Sequence, residues 1–144
     1  MLKLNESIAV RSTLFAINFL FVGFANGTEL NAGQIEASQE YFDCIDEAKA
    51  IHPKIVSCVQ SEIGRQKKNM EIKISAASKD PSMRELIASI AESDQLWVVY
   101  VKKLCDMYIQ LGGQRGELLS ESCVLNEMVH RKLFVKNILD EAGI

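Results

Sequence analysis

Four cysteines, Cys44, Cys58, Cys105 and Cys123, are the side chains whose chemistry is most constrained by their spacing. They fall as C-x13-C and C-x17-C. There is no CxxC pair, and the two histidines, His52 and His130, form no ligand cluster with them, so a zinc site is not expected. An even set of sulfurs suits disulfides, provided the chain folds where thiols oxidise. The acidic pairs Asp43/Asp46 and Glu117/Glu121 have the residue type of glycosidase carboxylates. Their helical spacing reads instead as ordinary solvated charge. A nucleophile elbow, a P-loop, HExxH and a Gly-rich dinucleotide turn are all missing from the sequence. The expectation is a protein without enzymatic activity, cofactor or metal.

The compartment follows from the N-terminus. Leu14 to Ala25 read LFAINFLFVGFA, an apolar run broken only by Asn18, and Lys3 and Arg11 make the preceding stretch basic. Ala25-Asn26-Gly27 offers small residues for cleavage before Thr28. Residues 1–27 therefore read as a signal peptide and 28–144 as one mature domain, periplasmic or secreted and free of the membrane once the signal is removed. The run is shorter than the roughly 20 residues a spanning helix needs. Without the signal, the net charge of -3 becomes -4. An acidic surface disfavours nucleic acid, and it suits a cationic protein partner. At 144 residues, 48% hydrophobic and 24% charged, the chain is neither disordered nor polytopic, and it can close one modest core.

The elements that must position the cysteines are helices. No alternating β-branched run bounded by turn residues occurs. The first helix is predicted from about Asn31 to Ala50, with Asn31 and Gln34 as a capping box. The second runs from about Pro53 to Ala77, with Val56, Val59, Ile63, Gln66 and Met70 on one seam. The third starts at Asp80-Pro81, where Ser82 and Glu85 offer another box. It carries Met83, Ile87, Ile90, Asp94, Trp97, Val101, Leu104, Tyr108 and Leu111 on one face, and it stops at Gly112-Gly113. The fourth runs from about Glu117 to Glu141, with Val124, Met128, Arg131, Val135 and Ile138 as its stripe.

Cys44 and Cys58 flank His52-Pro53, and Cys105 and Cys123 flank Gly112-Gly113. In a continuous helix the latter two would stand about 27 Å apart, far beyond disulfide reach. A reversal brings them together. The favoured pairing is Cys44–Cys58 with Cys105–Cys123, although crossed pairings tying hairpin to hairpin stay open. The predicted fold is all-α: two antiparallel helical hairpins forming a small four-helix bundle stapled by disulfides. In that register Trp97 lies opposite Arg131, and Asp94 lies within one turn of it. An Asp94–Arg131 ion pair with the guanidinium near the Trp97 ring is one reading. Two charges reaching solvent at the seam edge is the other. Trp97 and Tyr100 are expected in the core. The four stripes either close one bundle or leave a face for a second copy.

The series Phe42-Asp43-Cys44, Ile55-Val56-Ser57-Cys58 and Glu62 with Arg65-Gln66 resembles the first half of the LprI-like lysozyme inhibitor family. Trp97, Tyr100, Cys105, Gly112-Gly113, Cys123 and Arg131 resemble its second half more closely. Lys67, Glu71, Val101-Lys102 and Met128 depart from the family pattern. The resemblance implies an exported, helical, disulfide-bonded protein and a lysozyme-inhibitor function. On that basis the chain is expected to occlude the cleft of lysozyme or another cell-wall hydrolase. The candidates for contact are the turn holding Gln114 and Arg115 and the acidic residues Glu117 and Glu121; the other reading of that turn is a plain helix reversal. The alternatives are an envelope structural or assembly module, and an immunity protein against a rival's cell-wall toxin.

Overall fold

A computed structural model describes residues 36–143. The expected signal segment, Asn31 and Gln34 lie outside the described residues. Four α-helices follow one another: α1 Gln39–Ala48, α2 His52–Ala77, α3 Arg84–Ile109 and α4 Gly113–Glu141, with a 3-10 turn at Pro81–Met83 leading into α3. No strand occurs among the described residues.

Local chemistry sets each boundary. The Ser38 hydroxyl accepts the Tyr41 amide and caps α1, so within the described residues this helix begins at Gln39. It ends at Lys49 and Ala50, two non-glycine residues at φ 47° and 61°. That left-handed geometry costs roughly 1–2 kcal/mol per residue, which the surrounding structure must supply. Pro53 occupies the first turn of α2, where its missing N–H is not needed. Before α3 the cap is Asp80, which accepts both the Ser82 amide and the Ser82 hydroxyl. The expected Ser82–Glu85 box does not form, because Ser82 lies inside the 3-10 turn and the helix that follows is capped at Met83, which makes no side-chain cap bond. Gly112 and Gly113 take φ 71° and 59° between α3 and α4.

α4 starts four residues earlier than the sequence suggests, and Gly116 is the reason. A Cβ there would sit 2.8 Å from the Tyr108 carbonyl oxygen and 3.4 Å from that of Ile109. The absent side chain lets the first turn of α4 lie directly on the last turn of α3.

Both disulfides close within hairpins. Cys44–Cys58 joins α1 to α2 at a Cα separation of 5.7 Å, and Cys105–Cys123 joins α3 to α4 at 5.6 Å. The hairpins pack as a four-helix assembly in which α4 is central, lying along both α2 and α3. Because both reversals sit at one end of the molecule, α2 and α4 run parallel. Away from that end, Met70 and Ala77 of α2 meet Ile90 of α3 and Val135 and Leu139 of α4, closed below by Met83. Nearer the reversals, Val59 packs on Leu125 and Val129, with Tyr41 of α1 laid over them. α4 therefore buries two faces. Its expected stripe faces inward, and Leu125, Val129 and Leu139 form another buried set.

Candidate functional site

The two helix reversals meet. His52, the first residue of α2, donates from Nε2 to the Gln114 carbonyl at 2.7 Å and lies 3.7 Å from Glu117. Two turns further along α2, the Gln60 amide donates to Glu121 at 3.0 Å. Of the four residues picked out as contacts, Gln114, Glu117 and Glu121 thus tie the second reversal to the first hairpin, and Arg115 is exposed. Around this tip, Ile51, Ile109 and Leu111 are exposed apolar side chains. A disulfide braces each hairpin behind its reversal. The tip is a wedge with apolar crests, a polar seam and little freedom to rearrange.

A second group holds α3 against α4. Arg131 is only 8% exposed. Its Nε donates to Asp94 at 2.6 Å, and its Nη2 donates to the Ser93 hydroxyl at 2.6 Å and the Ile90 carbonyl at 3.2 Å. The ion pair read from the register is therefore present. Its aromatic neighbour differs from expectation: the guanidinium lies over the Phe134 ring, 5.3 Å from the centroid, and not over Trp97. Phe134 is one turn along the same helix, within easy reach of the side chain. Trp97 instead lines a groove with Met70, Ile74 and Met128. Tyr100, expected in the core, is exposed on the outer side of α3.

Sequence reasoning missed a third group. Glu62 is fully buried. It accepts the Ser38 amide at 2.8 Å, the Ser38 hydroxyl at 2.7 Å, Arg65 Nε at 2.7 Å and Gln66 Nε2 at 2.6 Å. Gln66 also donates to the Glu36 carbonyl at 2.9 Å, so this cluster pins residues 36–38 onto α2. Burial pushes the Glu62 carboxyl up, but the hydrogen bonds from Ser38, Gln66 and Arg65 outweigh it and hold the group below its ordinary value. In the sequence these residues stood out only as Glu62 with Arg65-Gln66 in the family resemblance and as Gln66, a polar member of an apolar seam.

A carboxyl depressed in the folded state stabilises the fold above its unfolded pKa, and that stabilisation is lost as pH falls through the folded pKa. Glu62→Gln is expected to lower stability at neutral pH by roughly 2–3 kcal/mol, since a charged hydrogen-bond centre is lost. Its urea midpoint should then fall less steeply below about pH 4.5 than that of the parent, because the unfolded glutamate titrates near 4.3. Parallel acid profiles for the two proteins would show that Glu62 does not carry this dependence.

Among the described residues, no cluster of His, Cys, Asp and Glu is arranged to hold a metal ion. No helix among them is long and apolar enough to cross a membrane.

A family model described as Antitoxin TsiV3 matches residues 49–143, which span α2 to α4 and both reversals. The Antitoxin protein TsiV3 of Vibrio cholerae serotype O1 is 28% identical over 96 residues, covering 67% of this chain and 74% of that protein. No solved structure matches. The match is to the TsiV3 family, and it gives no support to the LprI-like resemblance or to lysozyme inhibition. The helical, disulfide-bearing signature that suggested it is a fold feature, and a fold does not carry a function with it. The chain belongs to the TsiV3 antitoxin family.

Proposed function

We propose that this protein is an exported immunity protein that neutralises a rival's cell-wall toxin by binding it. The observation that carries the reading is the tip, where two disulfide-braced reversals are locked together by His52 and present Ile51, Ile109 and Leu111 to solvent. A hydrolase cleft is concave, and a blocker must offer a convex element that does not need ordering on arrival. Pre-organisation lowers the entropy lost on binding, and exposed apolar crests supply the desolvated anchors on which affinity concentrates. Arg115 and Glu117 flank the crests and would set orientation. Two disulfides agree with folding in a non-reducing compartment, where a cell-wall toxin acts. The match to an antitoxin supports a protein partner. The reading leaves no catalytic role for this chain: inhibition is stoichiometric.

The test is a survival assay. Cells exporting the chain are challenged with a rival that delivers a peptidoglycan-degrading toxin, and the purified oxidised protein is titrated against that toxin on isolated sacculi. Protection and one-to-one inhibition are expected. Leu111→Asp and Ile51→Asp, each at an exposed position, should weaken inhibition at least tenfold while leaving the thermal midpoint unchanged. Inhibition that these substitutions leave intact would place the contact elsewhere. A protein that gives no protection and binds no such toxin would favour an envelope module without a hydrolase target.

A further inference from the structure

The charge of this acidic chain is unevenly spread. From Lys67 to Lys79, the second half of α2 and the turn after it carry four lysines and a single acid, Glu71, although the chain as a whole stands at -3. Lys67 and Glu71 pair with each other at 3.8 Å. Lys68, Lys73 and Lys79 are exposed and make no ion pair among the described residues. Two open grooves gather these cations. One, on the outer side of α2, is lined by Lys68, Ile72 and Lys79. The other, between α2 and α4, is lined by Ile72, Lys73, Lys132 and Lys136. Ile72 belongs to both grooves and is 57% exposed, an apolar residue between two sets of cations. Lys132 holds the Glu36 carboxylate at 3.5 Å, and Lys136 holds that of Asp140 at 2.5 Å. Five lysines thus meet two acids, and the positive charges of Lys68, Lys73 and Lys79 are left over.

The type and spacing of these cations narrow the partner. All five are lysines. One fixed oxyanion is best held by the bidentate fork of arginine, whereas lysine acts as a mobile point charge. Lys68 and Lys79 stand roughly 16 Å apart along the helix axis, farther than one phosphate can bridge. Separated lysines around an exposed apolar side chain match a layer of many anions above a hydrocarbon boundary. We propose that the α2 face of Lys68, Ile72, Lys73 and Lys79, extended by Lys132 and Lys136 of α4, is a peripheral docking surface for an anionic phospholipid bilayer. The mature chain is expected from its sequence to be free of the membrane, but a peripheral face needs no spanning segment, and net charge averages over a segregation that the fold creates. Ile72 lies 20 residues along α2 from His52, about 30 Å from the tip, so a docked chain keeps its tip clear of the lipid. The proposal goes beyond the immunity reading and does not depend on it.

Cosedimentation of the purified oxidised protein is expected to show at least tenfold tighter binding to phosphatidylcholine vesicles that contain phosphatidylglycerol than to phosphatidylcholine alone. The difference should shrink as salt is raised. Lys68→Glu/Lys73→Glu should weaken binding to the anionic vesicles at least tenfold, with an unchanged circular-dichroism melt confirming the fold. Ile72→Ser should weaken it severalfold at equal charge. Lys103→Glu, at an exposed lysine of α3, should leave it nearly unchanged. Toxin inhibition in solution by the Lys68→Glu/Lys73→Glu variant should equal the parent's, which separates this proposal from the immunity reading. Equal binding to both vesicles overturns the proposal. So does an equal loss in Lys103→Glu, which would reduce the effect to net charge. Displacement from vesicles by millimolar inorganic phosphate would assign the lysines to a free oxyanion, and stronger retention on isolated sacculi would assign them to the wall; either result overturns it.

Discussion

Removing both disulfides is expected to leave the protein largely unfolded at neutral pH. Cys44–Cys58 and Cys105–Cys123 close segments of 14 and 18 residues. In the chain-entropy model each bond stabilises by about 3 kcal/mol, because it removes conformations from the unfolded chain. Small domains have about 5–15 kcal/mol in total, so the two bonds together are comparable with the whole stability at the lower end of that range. The molecule has other reasons to need them. Its apolar contacts are split between two small clusters at different heights along α4, and the first reversal holds Lys49 and Ala50 in left-handed geometry. Cys44→Ala/Cys58→Ala and Cys105→Ala/Cys123→Ala should each lower the urea-derived stability by about 3 kcal/mol. The fourfold variant should lose helical circular dichroism at 37 °C. Equal midpoints for the oxidised parent and the fourfold variant would mean that the bonds decorate a fold already complete. Because the bonds brace the tip, the double variants should also inhibit the toxin less well than their residual folded fraction accounts for.

The second large effect concerns Arg131. Replacing it by Ala is expected to cost about 3–5 kcal/mol, the range for breaking one side of a buried ion pair. Three acceptors lose the guanidinium at once, Asp94, the Ser93 hydroxyl and the Ile90 carbonyl, although Ile90 keeps the Ser93 hydroxyl as a donor. Packing on Phe134 goes with them. Asp94→Ala should cost less, because Asp94 lies nearer solvent, at 30% side-chain exposure, and Arg131 keeps its other two acceptors. The double variant should be more stable than the sum of the single losses implies, with a coupling of about 1–3 kcal/mol. Small additive effects in the double-mutant cycle would show that the pair contributes little to how α3 meets α4. The pair matters for register more than for net stability: it occurs once along the seam, so it marks one alignment of the two helices.

Several features were legible before any coordinates because they are local. Pro53, Asp80-Pro81 and Gly112-Gly113 act within three or four residues of themselves, so helices α2 and α3 begin and end close to where those residues predict. The disulfide pairing was legible for a similar reason: each pair flanks a single reversal, and a reversal fixes which sulfurs meet. The Asp94–Arg131 contact followed from that register. The start of α4 was misplaced because the reason for it, Gly116 against the Tyr108 carbonyl, is a contact between helices. Tyr100 was misassigned to the core because an apolar residue in an amphipathic helix does not state which of two apolar faces is covered. The Glu62 cluster was not assembled from the sequence because Ser38 stands 24 residues from Glu62 and Glu36 stands 30 from Gln66. The immunity reading stood among the alternatives that accompanied the family resemblance, and the TsiV3 family match then favoured it over lysozyme inhibition.

The residues alone establish that this chain is helical and where its rods reverse, and they favour one pairing of the sulfurs, which the structure then shows. Those properties depend on periodicity and on residues adjacent to each break. Only the tertiary structure decided that α4 sits at the centre, that the two reversals lock together into one tip, and that the outer face of α3 is left uncovered. Periodicity identifies a face but not its neighbour, and the choice of neighbour is made by contacts such as His52 to Gln114, 62 residues apart, that no local pattern encodes.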